Sequence, residues 1–264
     1  MRKILYFIFS LILTIVVGCQ ENSTKTGESD YDSSAFHIAL LPVEECQPFL
    51  LAEQYGLYDS LGINVQIHEY NAAMDADTAL MNGFVSMEVS DSVKMDILQT
   101  QCDSTDSIVC VMKDHLALSL IMSNKARVKN IKNVKEKIVA MTRNSSLDYF
   151  ANKITEEAGL KHEELNRPQI NNIRLRTQML LQDQYDGAIL PEPWATQCVD
   201  SGATRVTTSD KIQPLQFFLI VKSSVNKKHK SDIGKIKEAY QLAKKRAESQ
   251  KSKAESPKEK STKQ

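Results

Sequence analysis

From Phe36 onward, short apolar runs alternate with amphipathic stretches, and turn residues separate them. FHIALLP reads as a buried strand. After the loop VEECQ, Pro48 sits where a helix tolerates it, and PFLLAEQY runs to a stop at Gly56. LYDSLG reads as a turn, INVQIHEY as an alternating strand, and DADTALMN as a short helix closed by Gly83. FVSMEV is then a strand ending at Ser90-Asp91, followed by two β-rich apolar runs, SIVCVM and LALSLIMS. A second set begins with NVKEK and the strand IVAMT. Ser145 with Asp148 predicts a capping-box start. Leu147, Phe150, Ala151, Ile154 and Ala158 form one helical face that Gly159 ends. Helix TQMLLQD, strand DGAIL, a helix or turn after PEPW, and strand FFLIV follow; Ser231 or Asp232 caps a last amphipathic helix.

Strands alternating with helices predict an α/β fold with largely parallel pairing. One internal echo stands out at an offset of one hundred. TALMNGFVSMEVSDS (78–92) and QMLLQDQYDGAILPE (178–192) are both helix, tight turn, strand and abrupt polar end. This fits two lobes of like construction.

The ends of the chain read differently. Met1-Arg2-Lys3, the apolar run ILYFIFSLILTIVV and Gly18-Cys19 describe an export signal. Its apolar run is shorter than the roughly 20 residues a spanning helix needs. Val16-Val17-Gly18-Cys19 resembles a bacterial lipobox, in which Cys19 is lipidated and becomes the mature N-terminus; the alternative is an ordinary cleaved signal with a cysteine nearby. Residues 1–18 are thus the signal, 19–35 a lipid-anchored tether without apolar periodicity, and 246–264 a disordered Lys-rich tail. The expected location is extracytoplasmic, anchored to a membrane on its periplasmic face.

Lys and Arg together number 33, and so do Asp and Glu. A near-neutral chain gives no electrostatic case for nucleic acid. Of five cysteines, Cys46, Cys102, Cys110 and Cys198 remain after Cys19, and three full pairings are open. Cys102 and Cys110 are nearest in sequence and the first pair expected. No CxxC or His-rich spacing suggests a metal, and no cofactor is expected.

In an open α/β sheet, ligands gather at the carboxyl ends of the strands. That rule selects Glu44, Glu45 and Gln47 after the first strand, Tyr70 and Asn71 after the second, and Ser90 and Asp91 after the third. From the second set it adds Arg143, Asn144 and Ser145, then Glu192 and Trp194 in PEPW. Structural readings stand beside these: Trp194 as core, Glu44 and Glu45 as solvated charges, Ser145 and Asp91 as helix caps, Arg143 as a surface charge. No G-x-S-x-G, P-loop, G-x-G-x-x-G or H-E-x-x-H is present, and no histidine sits beside an evident nucleophile.

PVEECQPFLLAEQYGLYDSLGINVQIHEYNAAMDADTALMNG resembles the opening of solute-binding proteins of ABC importers, the group of nitrate, alkanesulfonate, taurine and thiamine-pyrimidine-precursor binders. Ala52, Gly56, Leu57, Tyr58, Gly62, Ile63, Val65, Ala79, Leu80 and Gly83 fit that pattern. KNVKEKIVAMTRNSS and YDGAILPEPWATQCVDSGA resemble its second lobe, with Asp186, Glu192, Pro193 and Ala195 in register. The likeness spans about residues 36 to 245. Ser86 and Glu136 depart from the usual Asp and Gly. The resemblance implies a two-lobed periplasmic-binding-protein type II fold with crossing hinge strands. Residues 36–115 then form lobe 1, 116–205 lobe 2, and 206–245 the return to lobe 1 with the C-terminal helix. It also implies a monomer that clamps a small molecule and delivers it to an ABC permease. The carboxylates among the candidates favour a nitrogen-containing or cationic solute, such as a thiamine pyrimidine precursor, stacked on Tyr70 or Trp194. The same fold also houses thiamine-pyrimidine synthases and menaquinone-pathway enzymes, so an enzyme is the alternative; export argues against it. A surface adhesin is a third class.

Overall fold

A computed structural model describes residues 31–255. The export signal, Cys19 and the end of the Lys-rich tail lie outside the described residues. The first lobe is a five-stranded sheet in the order β2-β1-β3-β9-β4. Its strands are β1 (Phe36–Leu40), β2 (Val65–Glu69), β3 (Met87–Asp91), β4 (Ile108–Leu116) and β9 (Leu215–Lys222). The second lobe is a four-stranded sheet, β6-β7-β5-β8, made of β5 (Leu118–Met122), β6 (Val139–Ala140), β7 (Gly187–Pro191) and β8 (Thr204–Thr208).

The helices fill the connections. After β1, a 3-10 turn, Glu44–Cys46, leads into α1 (Gln47–Gln54) and α2 (Leu57–Ser60). α3 (Ala73–Met81) and α4 (Ser92–Gln101) flank β3, and α5 (Ser146–Glu157) follows β6. α6 (Ile173–Leu181) and α7 (Trp194–Asp200) flank β7; α8 (Ser209–Ile212), α9 (Ser223–Lys228) and α10 (Lys230–Glu255) complete the chain. The chain crosses from the first sheet to the second at Ala117, between β4 and β5, and returns through α8. One apolar cluster runs through both sheets, from Phe36, Ile38 and Phe49 to Leu120, Val139 and Phe150. Burial therefore continues across the crossing and holds the sheets in one unit.

Several expectations need correction. Pairing is mixed: β1 pairs in parallel with β2 and β3, and β6 with β7, whereas β9 runs antiparallel to β3 and β4, and β5 to β7 and β8. The crossing strands impose this, because each enters a sheet from the opposite end. Periodicity alone misses β8. Its sequence TRVTT is mostly polar, and as an edge strand it needs no continuous apolar run. Because β8 pairs with β5, the return to the first sheet begins after Thr208 and not at residue 206. LYDS is a helical turn, α2. The last helix continues to Glu255 through residues read as a disordered tail. Arg246 lies 4.0 Å over the Tyr55 ring, Gln250 accepts from the Tyr55 hydroxyl at 3.3 Å, and Lys251 approaches Glu44 at 3.7 Å. Such polar contacts leave no apolar signature. Cys46, Cys102, Cys110 and Cys198 are free thiols, so the Cys102–Cys110 pairing is absent. Among the described residues no helix is long and apolar enough to cross a membrane.

A cleft between two sheets

The carboxyl ends of β1 and β3 in one sheet face those of β6 and β7 in the other, and a cavity partly open to solvent lies between them. Its walls are largely apolar: Leu41, Val43 and Val89 from the first lobe, Leu116, Leu118 and Phe217 from the crossing strands, and Leu147, Ile173 and Pro191 from the second. A few polar groups converge within that lining, the usual form of a small-molecule site.

Asp91 ends β3 and caps α4, where one carboxylate oxygen accepts from the Lys94 backbone N–H at 3.0 Å. The other oxygen crosses the cleft and accepts from the Ser146 N–H, the first residue of α5, at 3.0 Å. Burial raises its pKa, and these N–H groups oppose the rise. Ser145 is the N-cap of α5; its hydroxyl accepts from Leu147 N–H at 3.2 Å and donates to Thr142 O at 2.8 Å. Asn144, just before it, has φ +54°, a left-handed conformation that Asn tolerates well. Asp148 accepts from Asn144 N–H at 3.4 Å, one residue short of the reciprocal capping bond expected.

Glu45 enters from the 3-10 turn after β1. One of its oxygens accepts from Ala117 N–H, at the lobe crossing, at 3.0 Å; the other has no partner. Burial lifts its pKa to about 7. The Ser90 hydroxyl also lacks a partner.

Arg176 is the group opposite. It lies on the buried face of α6, is 1% exposed, and donates to Thr142 Oγ1 at 3.1 Å and to Ile170 O at 2.5 Å. Its Nε has no partner, and among the described residues no carboxylate pairs with it. Burial lowers its pKa to about 10, so it stays cationic at neutral pH. Lys94 also reaches the cavity wall, with its ammonium paired to Asp77 behind it. Burial raises the pKa of Asp77, and raises that of the fully buried Glu88 beside it well above the carboxylate range.

Of the residues chosen from sequence, Glu45, Ser90, Asp91 and Ser145 meet in this cavity. Arg143 and Asn144 line a separate open depression of about 950 Å³ beside α3 and α4. Glu44 and Gln47 face a third, along α10. Tyr70, Asn71, Glu192 and Trp194 do not line the cavity, because their polar atoms or faces are engaged elsewhere. Tyr70 packs against the cluster around Ala76 and Leu80. Asn71 accepts from Arg174 Nε at 2.8 Å, and its carbonyl from Ile173 N–H at 2.9 Å. Glu192 pairs with Arg205 at 2.7 Å, and its carbonyl accepts from Glu44 N–H at 2.8 Å. Trp194 Nε1 donates to Pro42 O at 2.5 Å, with the Arg174 guanidinium 5.2 Å from its ring centre. PEPW therefore ties the lobes together at the edge of the cleft. Within it only Pro191 lines the cavity; Glu192 and Trp194 do not.

Sequence reasoning passed over Arg176 and Lys94. A signal existed for the first: Ile173, Arg176, Thr177 and Leu180 share one buried helical face, and a charge on such a face is unusual.

The model of the NMT1-like family matches residues 29–258. No curated protein shows detectable sequence similarity. The sulfonate-binding protein SsuA from Xanthomonas axonopodis, solved with MOPS bound, superposes with a TM-score of 0.68 at 15% identity, over 83% of this chain and 77% of that one. The periplasmic aliphatic sulphonate-binding protein SsuA from Escherichia coli gives 0.64 at 16%, over 83% and 76%. The periplasmic nitrate-binding protein NrtA from Synechocystis gives 0.65 at 14%, over 80% and 60%. The fold is that of the periplasmic binding proteins, and the chain belongs to the NMT1-like family.

Proposed function

We propose that this protein is the solute-binding component of an ABC importer. Lipid at Cys19 holds it outside the cytoplasm; it takes a small nitrogen-containing solute between its lobes and hands it to a permease. One observation carries the reading. Glu45 and Arg176 are both buried in the wall of one inter-lobe cavity, and each keeps a polar atom without a partner. Unsatisfied buried groups cost free energy in the empty protein, and a solute that satisfies them recovers it. The pair requires a donor toward Glu45 and an acceptor toward Arg176, a combination that aminopyrimidines and other amidine-like heterocycles carry. Apolar walls supply the remaining contact area. The cavity wall holds two serines but no histidine to act as their base, which favours capture over chemistry.

Thermal-shift screening of pyrimidines, amines, sulfonates and nitrate tests this. A solute at a hundredfold excess over its Kd should stabilise the protein by about 2.7 kcal/mol. Glu45→Gln should weaken that shift, whereas Glu44→Gln, outside the cavity, should leave it intact. Equal loss in both variants would move the site elsewhere. Replacing Cys19 with Ser should release the protein from membranes; retention at the membrane in that variant would remove the lipid anchor from the reading.

A further inference from the structure

Two helices of the cleft begin at one point. α4 has ten residues and α5 twelve, and the first turn of each directs a backbone N–H at the same carboxylate. Lys94 N–H reaches one oxygen of Asp91 and Ser146 N–H the other, both at 3.0 Å. Converging helix N-termini with free N–H groups are an anion seat. Here the seat is filled from within, by a side chain only 7% exposed.

A second observation shows that the seat belongs to a ligand site. Arg176 is 1% exposed, lines the same cavity and keeps Nε unpartnered. It joins the seat through Thr142, whose hydroxyl takes an Arg176 N–H and whose carbonyl takes the Ser145 hydroxyl. The wall thus holds donors and a cation arranged for an oxyanion, with a carboxylate of the chain itself among them. The helix–turn–strand unit as such is also built without a carboxylate at this position. In the second lobe the equivalent strand, β7, ends in Pro191, which has no acceptor side chain, and the helix–turn–strand unit forms all the same.

We propose that Asp91 is a built-in occupant of the anion seat, and that it sets the cleft's specificity by excluding free oxyanions and leaving space for an uncharged or cationic solute. This rests on the cleft being the solute site. A sulfate, nitrate or sulfonate entering the cavity meets a fixed negative charge where it needs donors, and like charges at short range in a dry site repel strongly. A solute without negative charge meets no such penalty and finds Glu45 and Arg176 available.

The experiment compares the detergent-solubilised full chain with D91A and D91N in calorimetric titrations with sodium sulfate, sodium nitrate and sodium methanesulfonate at constant ionic strength. The unaltered chain should show no saturable uptake. D91A, with both N–H groups exposed, should bind at least one of these anions about tenfold more tightly or better. D91N should fall between, because its carbonyl oxygen still fills one N–H while its charge is gone. Adding R176K to D91A should remove the gain, placing the ion in the cleft. Oxyanion binding by the unaltered chain equal to that of D91A overturns the proposal. So does a folded D91A without gain or, where circular dichroism shows D91A unfolded, a folded D91N without gain. Failure of the solute-binding reading would show differently, as no response of the unaltered chain to the nitrogenous solutes.

Discussion

The segments around β3 and β7 are one device built twice. α3 spans Ala73–Met81 and α6 spans Ile173–Leu181; β3 spans Met87–Asp91 and β7 spans Gly187–Pro191. Two closing bonds of the turns correspond. Gly83 N–H donates to Leu80 O and Phe84 N–H to Ala79 O; Asp183 N–H donates to Leu180 O and Gln184 N–H to Met179 O. Gly83 and Asp183 both take a left-handed backbone, φ +75° and +55°. The interiors differ. Asp77, Glu88 and Lys94 form a buried charged group in the first lobe, whereas Thr177, Ala188 and Trp194 hold the same positions in the second. Arg176, conversely, replaces Ala76. Backbone hydrogen bonds and apolar burial therefore suffice to make the unit. The buried charges are additions, and of them Lys94 and Arg176 line the cleft.

Substitutions at four places would break or sharpen this comparison. Lys94→Met leaves two buried carboxyls without their cation and should cost about 3 to 5 kcal/mol in urea unfolding at neutral pH. The combined D77T/E88A/K94M, which gives the first lobe the second lobe's neutral interior, should recover most of that loss. A combined variant less stable than Lys94→Met alone would mean that the charged group supports the fold.

The pH dependence of Glu45 comes next. An unfolded Glu titrates near its ordinary value of 4.5, and burial lifts the folded group to about 7. The folded state binds the extra proton between those values, so this contribution to stability is fully present below 4.5 and is lost as pH rises through 7. The loss should be about 3 kcal/mol, and Glu45→Gln should flatten it. Ligand affinity carries its own sign. A cationic solute needs ionised Glu45 and should bind more tightly as pH rises through 7, whereas a solute that accepts from the protonated acid should weaken. Parallel stability profiles for the two proteins across this range would remove Glu45 from the account.

Gly187 and Met87 occupy corresponding strand positions with opposite demands. A Cβ at Gly187 would lie 2.8 Å from Ile121 O and 2.3 Å from Met122 Sδ, so Gly187→Ala should cost about 1 to 3 kcal/mol by denaturant midpoint. At Gly83 a Cβ meets nothing within 4 Å, and only the left-handed backbone resists it. Gly83→Ala should cost about 1 kcal/mol, and Gly83→Asn less, as Asp183 shows the turn accepts a short polar side chain. Equal costs for Ala and Asn would make the two turns less alike than their bonds suggest.

Much of this is legible along the chain. The order of strands and helices follows apolar periodicity, and the hundred-residue echo announces the repeated unit before any coordinates. The strand-end rule reaches Glu45, Ser90, Asp91 and Ser145, because their positions follow from where apolar runs stop. It fails at Trp194 and Glu192 for a particular reason. Both stand at the end of β7, but their partners, Pro42 O and Arg205, come from distant segments and turn them away from the cavity. It also misses Arg176, which reaches the cleft from a helix face.

Local pattern set the elements, since periodicity, turn residues and caps act within a few positions of one another. The antiparallel half of each sheet, the joining of β5 to the second sheet and the placement of Asp91 on the first turn of α5 required the folded chain. Each depends on a contact between residues far apart in sequence, such as Asp91 with Ser146, and no local free-energy preference encodes such a contact.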